Sequence, residues 1–99
     1  MAEMTYYHGS SARFAAFETP TGAEAWDVTK GGVVYLTTDR ELAEGYAQGG
    51  YVYTVSAPGA RSYADQRRRQ GLPAKKGKYV RGVYVALPSD CEIRRVERV

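Results

Sequence analysis

The chain has one cysteine, one histidine and no long apolar segment, and each of these scarcities excludes a class of protein. Because Cys91 has no partner, no internal disulfide can form, which favours a reducing compartment. One histidine cannot build a histidine-rich metal site, so no bound metal is expected. No apolar run approaches the length that spans a membrane, and residues 1–4 lack the regions of a signal peptide. We therefore expect a cytoplasmic protein without a membrane partner.

The common nucleotide-binding and catalytic motifs are missing as well. The sequence contains neither the glycine-rich fingerprint of dinucleotide-binding folds nor a phosphate-binding P-loop. A serine hydrolase would require His8 to find a distant serine, and Cys91 is better explained as a small buried residue than as a nucleophile. Any function must therefore come from a less common arrangement of residues.

Length and composition predict one small domain over residues 1–99. Hydrophobic residues make up 43% of the chain and charged residues 25%, which is ordinary for a globular domain. The aromatic residues comprise nine tyrosines, two phenylalanines and one tryptophan. Tyrosine has a flat face and a polar tip, so it suits half-buried strand positions and also surfaces that stack a ring next to water.

Charge is distributed unevenly along the chain. Residues 1–60 hold three basic and seven acidic side chains, residues 61–81 hold eight basic and one acidic, and residues 82–99 are balanced. The basic segment includes Arg67, Arg68 and Arg69. Such a run is either a solvated face or a surface that attracts nucleic acid or an acidic protein.

The pattern of apolar and turn-forming residues predicts an α+β fold rather than a doubly wound sheet. Strands are predicted over residues 4–8, 33–37, 51–56 and 79–87. Thr38 and Glu41 resemble a capping box, so a helix is expected over residues 38–48. Residues 60–78 are polar and interrupted by glycine and proline, which predicts a long loop. The tail from Cys91 to Val99 suits either a strand or a helix.

Four short segments, taken in order, carry a resemblance to a known family. They are Tyr7-His8-Gly9-Ser10, Val34-Tyr35-Leu36-Thr37-Thr38, Ala43-Glu44-Gly45-Tyr46-Ala47 and Val52-Tyr53-Thr54-Val55. This order resembles the ADP-ribosyltransferase superfamily and covers residues 5–60 well. The resemblance implies a small split β-sheet domain with a cleft for NAD⁺, the substrate from which ADP-ribose is transferred.

Within that superfamily the chain looks most like the rifamycin-modifying group, whose catalytic triad is His, Tyr and Asp. Past residue 60 the match is weaker and gapped: Ala57-Pro58-Gly59, then Asp65, Leu72-Pro73 and Lys78-Tyr79 follow in the expected order. The chain lacks the terminal helical region of that group. Many other members use a glutamate on a later strand, whereas residues 79–87 contain no acid.

The resemblance implies a role for each matched residue. His8, Tyr35 and Asp65 correspond to the catalytic triad. His8 would hydrogen-bond the adenosine-side ribose, and Asp65 would hydrogen-bond the nicotinamide ribose and offset the charge that develops on it. Gly9 would let the backbone approach the nicotinamide carboxamide. Tyr35 and Tyr46 would enclose the nicotinamide ring. The remaining assignments are Ser10 as a support for the ribose contact and Arg67, Arg68 and Arg69 as the site for a macromolecular acceptor, either an acidic protein surface or nucleic acid.

Each of these residues also has a structural explanation, and other functions stay open. Tyr35 and Tyr46 are typical of core positions, and Asp65 of a charge-balancing loop. A catalytically silent NAD⁺- or partner-binding module would carry the same motifs. A basic nucleic-acid binder, with Tyr63 and Tyr79 available for stacking, would carry the same charge. The related RNA 2′-phosphotransferases share the His-Gly motif but have a second histidine where this chain has Tyr35.

Overall fold

One antiparallel sheet carries the whole architecture. The computed structural model describes residues 4–18, 26, 28–29, 32–74 and 82–99. Within them, six strands and two α-helices form an α+β domain, which confirms the predicted fold class. In chain order these elements are β1 (Tyr6–Ser10), β2 (Val34–Thr37), α1 (Arg40–Ala47), β3 (Tyr51–Ser56), β4 (Arg61–Ser62), α2 (Tyr63–Arg69), β5 (Val83–Ala86), a 3₁₀ turn (Pro88–Asp90) and β6 (Glu92–Arg98).

The sheet has the strand order β4-β5-β2-β1-β3-β6, and every neighbouring pair is antiparallel. The strand predicted at 51–56 is observed with the same bounds, and that at 33–37 begins one residue later. The first strand is shifted to Tyr6–Ser10. The ambiguous tail forms β6, which completes the sheet beside β3.

The core lies on both faces of the sheet. On one face a cluster of aromatic and aliphatic side chains surrounds Tyr53, which is fully buried. On the other face α1 packs Ala43 and Ala47, both fully buried, against Val52 of β3. These small residues let α1 lie close to the sheet, so its side chains border the edge where β1 meets β2.

Helix α1 begins two residues later than predicted, and its cap is a different residue. Asp39 adopts an extended backbone conformation, and its carboxylate accepts hydrogen bonds from the amides of Glu41 and Leu42. Thr38 therefore does not form the expected capping box. The amide of Asp39 is itself bonded to the hydroxyl of Thr37, at 3.0 Å, which fixes the approach to the helix. An aspartate caps a helix as well as a threonine does, so two adjacent capping residues made the boundary ambiguous.

The loop predicted over residues 60–78 is wrong in its first half, which forms β4 and α2. The residues of α2 are mostly good helix formers, but the buried face of the helix is polar. Gln66 is buried; its side chain donates to the carbonyl of Trp26 and accepts from Arg61. Because the buried residue of this face is polar and Tyr63 is the helix residue that packs against the cluster of Val28, Val33 and Val85, the helix has too few apolar positions for a periodicity to reveal it. Residues 75–78 lie outside the described residues.

Candidate functional site

The centre of the sheet is where β1 and β2 meet, and their backbones pair at only one position, Tyr7 opposite Thr37. By contrast, β1 pairs with β3 along its full length, and β2 pairs with β5 along its full length. Beyond this pair, the imidazole of His8 connects the two strands, because its Nδ1 forms a hydrogen bond of 2.8 Å with the carbonyl oxygen of Tyr35. A side chain thus replaces the backbone ladder between the two strands, and the sheet opens beside it.

A cleft of about 340 Å³ lies at this opening. Four of the five residues predicted to bind the cofactor line it, although they come from three different elements of the chain. Its lining residues are Tyr7, His8, Gly9, Tyr35, Leu36, Thr37, Ala43, Tyr46, Tyr63 and Val83. The cleft is therefore walled by four tyrosines and a histidine, and none of the lining residues carries a carboxylate.

His8 is held in a single orientation and in one tautomer. A carbonyl oxygen can only accept, so the bond to Tyr35 requires a proton on Nδ1, and Nε2 of the neutral ring is left as an acceptor. Phe17 stands edge-on to the imidazole at 5.0 Å, and Phe14 and Tyr53 enclose it further. Burial lowers the pKa of His8 below its usual value, and the bond to Tyr35 opposes that shift in part. The imidazole is thus a neutral acceptor at physiological pH.

Tyr35 and Tyr46 are the two exposed aromatic walls of the cleft. The side chain of Tyr35 is 41% exposed and that of Tyr46 is 49% exposed, which is unusual for large aromatic residues on a strand and a helix. The hydroxyl of Tyr35 donates to the carbonyl of Val28 at 3.1 Å, and burial raises its pKa. Neither tyrosine serves mainly as core, so the purely structural explanation of these two residues loses its support.

Packing requires a glycine at position 9, which the sequence did not reveal. A Cβ at this position would overlap the carbonyl oxygen of Ala43 and lie 2.9 Å from the amide nitrogen of Ala47. The glycine is therefore required for the close contact between β1 and α1, whatever it does for a ligand. Its backbone also lines the cleft, so the predicted approach of a ligand stays a prediction.

Ser10 does not line the cleft. Its hydroxyl accepts a hydrogen bond from the amide of Ala12 at 3.1 Å and so caps the turn that follows β1. Such local bonds from serine to the backbone are typical of turns. The position of Ser10 gives no support to the predicted contact with a ribose.

Asp65 does not line the cleft either. It stands in the first turn of α2, where its carboxylate is 55% exposed and forms an ion pair with Arg68 at 3.1 Å. Tyr63, two residues earlier, lines the cleft, and residues two apart on a helix project in nearly opposite directions. The structure thus brings together two members of the predicted triad but not the third.

The other acids after β3 have partners elsewhere in the structure. Asp90 lies next to Gly59, Glu92 pairs with Arg94, and Glu97 pairs with Arg40 at 2.9 Å. None of the three lines the cleft. The described residues contain no cluster of side chains that could hold a metal ion.

The three arginines predicted to bind an acceptor have different environments. Arg67 is half-buried and donates two hydrogen bonds to the carbonyl of Pro73, at 2.8 and 3.0 Å. Arg68 pairs with Asp65, and Arg69 is exposed to solvent. The guanidinium of Arg67 is thus part of the framework, whereas Arg68 and Arg69 project outwards from α2.

Tyr63 and Tyr7 are cleft residues that the sequence did not identify. Tyr63 occurs in the segment that the sequence predicts to be a loop, and without α2 no feature of the sequence places it near Tyr35. Tyr7 directly precedes His8, yet alternation along a strand sends its ring to the face covered by α1. A correct prediction of α2 from its helix-forming residues would have pointed to the first of these.

Comparison with protein-family models, with curated proteins and with solved structures found no match to this chain. The resemblance to ADP-ribosyltransferases therefore depends on the short motifs and on the cleft that they line. Neither helix in the described part of the chain has the length and apolar character needed to cross a membrane.

Proposed function

We propose that the cleft binds NAD⁺ and that the domain transfers its ADP-ribose to a macromolecular acceptor. One observation carries this proposal: His8, Gly9, Tyr35 and Tyr46, which the resemblance assigns to NAD⁺, line a single cleft. The motifs are spread over almost 40 residues of sequence, and nothing in their spacing alone requires them to meet.

The cleft has the size and chemistry for the nicotinamide end of NAD⁺. Its volume of about 340 Å³ is at the lower end of small-molecule pockets, which suits a nicotinamide and its ribose rather than the whole dinucleotide. The rings of Tyr35 and Tyr46 offer flat surfaces for a pyridine ring. The Nε2 atom of His8 accepts a hydrogen bond from a ribose hydroxyl, because its Nδ1 proton is engaged by Tyr35.

In the reaction the bond between nicotinamide and ribose breaks, its electron pair leaves with the nicotinamide, and an acceptor nucleophile replaces it on the ribose. The side chains of the cleft contribute by holding the ribose and the ring at fixed positions, which lowers the barrier by orientation. A carboxylate would stabilise the positive charge of the sugar. Asp65 is the residue predicted for this role, although its carboxylate is paired with Arg68 and it does not line the cleft.

The acceptor site is proposed to lie along α2, next to the cleft. Tyr63 joins this helix to the cleft, and Arg68 and Arg69 project from it into solvent. In the sequence, four further basic residues follow α2, at positions 75, 76, 78 and 81, outside the described residues. A positive surface beside the reacting centre favours an acidic protein or a nucleic acid as the acceptor.

A catalytically silent NAD⁺-binding module is the second candidate. The observation that favours it is the absence of any carboxylate among the lining residues, together with the exposed ion pair of Asp65. Such a module would bind NAD⁺ through the same tyrosines and His8 but would not cleave it.

Two measurements on the intact chain separate the candidates. Calorimetric titration with NAD⁺ reports binding, and incubation with labelled NAD⁺ and cell lysate reports labelled acceptor or free ADP-ribose. Tyr46→Leu removes an exposed ring of the cleft, and Tyr51→Leu is the matched control because Tyr51 lies outside it.

Binding that Tyr46→Leu weakens and Tyr51→Leu preserves, together with labelled product, is the expected result. NAD⁺ binding with neither labelled acceptor nor free ADP-ribose would favour the silent module. A wild-type chain that does not bind NAD⁺ would refute both candidates.

A further inference from the structure

Tyr63 is the cleft residue that no motif accounts for. It is the first residue of α2, and its ring stands edge-on to that of Tyr35, with centroids 5.7 Å apart and planes 72° apart. Edge-to-face pairs of this kind hold two rings in a preferred mutual orientation. Tyr35 is 41% exposed, and the hydrogen bond at its hydroxyl fixes that atom but not the rotation of the ring, so the plane of the ring depends on this contact.

Arg67, one helical turn further along α2, holds Tyr63 in place. Its guanidinium lies 5.7 Å from the centroid of the Tyr63 ring, and its Nη1 lies 3.4 Å from the Tyr63 hydroxyl. The same guanidinium is fixed by its two bonds to the carbonyl of Pro73. Tyr63 is therefore held between Tyr35 and a side chain that is itself immobilised.

The second contact of Tyr35 also leads back to α2. The hydroxyl of Tyr35 bonds to the carbonyl of Val28, and the amide of Val28 bonds to the side chain of Gln70 at 3.1 Å. Gln70 caps the C-terminal end of α2. One end of this helix thus touches the ring of Tyr35, and the other end reaches its hydroxyl through Val28.

We propose that Tyr63 is a positioning residue, which sets the plane of the Tyr35 ring and thereby the plane in which a flat ligand group stacks. The inference that this group is the nicotinamide ring of NAD⁺ rests on the proposed function. The orientation of the Tyr35 ring does not depend on the proposed function, because the contacts that produce it are present without a ligand.

The test has a ligand-free part and a ligand-bound part. Tyr63→Leu removes the ring, and Tyr63→Phe keeps it while losing only the hydroxyl. Tyr84→Leu is the matched control, because Tyr84 forms an edge-to-face pair with Tyr6, at 5.2 Å, outside the cleft. In each protein, ring-labelled tyrosine NMR records the Tyr35 signals, assigned through Tyr35→Phe, and calorimetry records the NAD⁺ affinity.

We expect Tyr63→Leu to shift and average the Tyr35 ring signals and to weaken NAD⁺ binding by about two- to tenfold, the range for one lost edge-to-face pair. Tyr63→Phe should restore both readouts, and Tyr84→Leu should change neither. If Tyr63→Leu does not fold, Arg67→Gln supplies the same test, since it releases the Tyr63 ring without removing it.

Each failure has a different meaning. Unchanged Tyr35 signals in a folded Tyr63→Leu protein would overturn the positioning role, even if the wild type binds NAD⁺. Altered Tyr35 signals in a chain whose wild type does not bind NAD⁺ would support the positioning role and refute the proposed function.

Discussion

Replacing Gly9 by alanine tests whether this glycine serves the helix or the ligand. The added Cβ would overlap the carbonyl oxygen of Ala43 and lie 2.9 Å from the amide nitrogen of Ala47. Both atoms belong to the backbone of α1, and Ala43 and Ala47 are fully buried against the sheet. No flexible side chain can move aside, so the whole helix would have to withdraw from β1.

The cost follows from the nature of this contact. Overpacking a well-packed interior costs about 1–3 kcal/mol, and a clash with backbone belongs at the upper end of that range. For a domain of this size, about 3 kcal/mol corresponds to a fall in Tm of roughly 12–24 °C. The change is large enough to measure by circular dichroism in a simple thermal melt.

Gly45 on the same helix provides the control. It is exposed, and a Cβ there would meet no atom within 4 Å. Gly45→Ala should therefore stabilise α1 by about 0.8–1.0 kcal/mol, the difference in helix propensity, and raise Tm by a few degrees. A Gly9→Ala protein that melts like the wild type would refute the argument from packing. If that protein had also lost NAD⁺ binding, the glycine would be explained by the ligand instead.

Four further outcomes follow from the same contacts. His8→Ala should weaken NAD⁺ binding by a few-fold to about tenfold in calorimetry, because one hydrogen bond to the ribose is lost; unchanged affinity would remove His8 from the site. Because burial lowers the pKa of His8 in the folded state, the unfolded state takes up a proton first as pH falls. Denaturant titrations should therefore show stability falling below about pH 6.5, an effect that His8→Gln should diminish. Asp65→Asn should leave turnover within about twofold of wild type, because Asp65 is not among the residues that line the cleft; a fall of roughly 10²–10³-fold would instead establish the carboxylate as the predicted catalytic group. Asp39→Ala should cost about 0.5–2 kcal/mol in thermal unfolding through loss of the α1 cap, and the same change at the neighbouring Thr38, which does not cap, should cost less.

The parts of the fold that sequence predicts well are those in which apolar pattern and burial coincide. Residues 51–56 and 33–37 are rich in β-branched and aromatic residues, and both form central strands close to the predicted bounds. The sequence did not predict helix α2, because the buried residue on its inner face is Gln66, which is held by hydrogen bonds. A search for apolar periodicity cannot find a helix whose inner face is polar.

The candidate site shows the same division. Tyr35 lies on a strand predicted to within one residue and His8 on one shifted by two residues, and a hydrogen bond joins their segments across the sheet. The sequence places Asp65 only by its order after β3, within a segment that is predicted to be a loop. Once that segment folds as α2, its helical repeat decides which side chains face the cleft, and it selects Tyr63 instead of Asp65.

The single backbone pair between β1 and β2 leaves most of the facing sides of these two strands without ladder partners, in the middle of one six-stranded sheet. The outer edges belong to β4 and β6, as in any open sheet, and beyond the pair of Tyr7 and Thr37 the facing sides of β1 and β2 resemble such edges. Amides in the middle of a sheet are normally the slowest to exchange with solvent, because strands protect them on both sides. Here the inner edges should exchange quickly although they lie at the centre of the molecule. A ligand between β1 and β2 would meet main-chain donors and acceptors, which no side-chain substitution can remove. By forming hydrogen bonds to both strands, it would couple the two halves of the sheet.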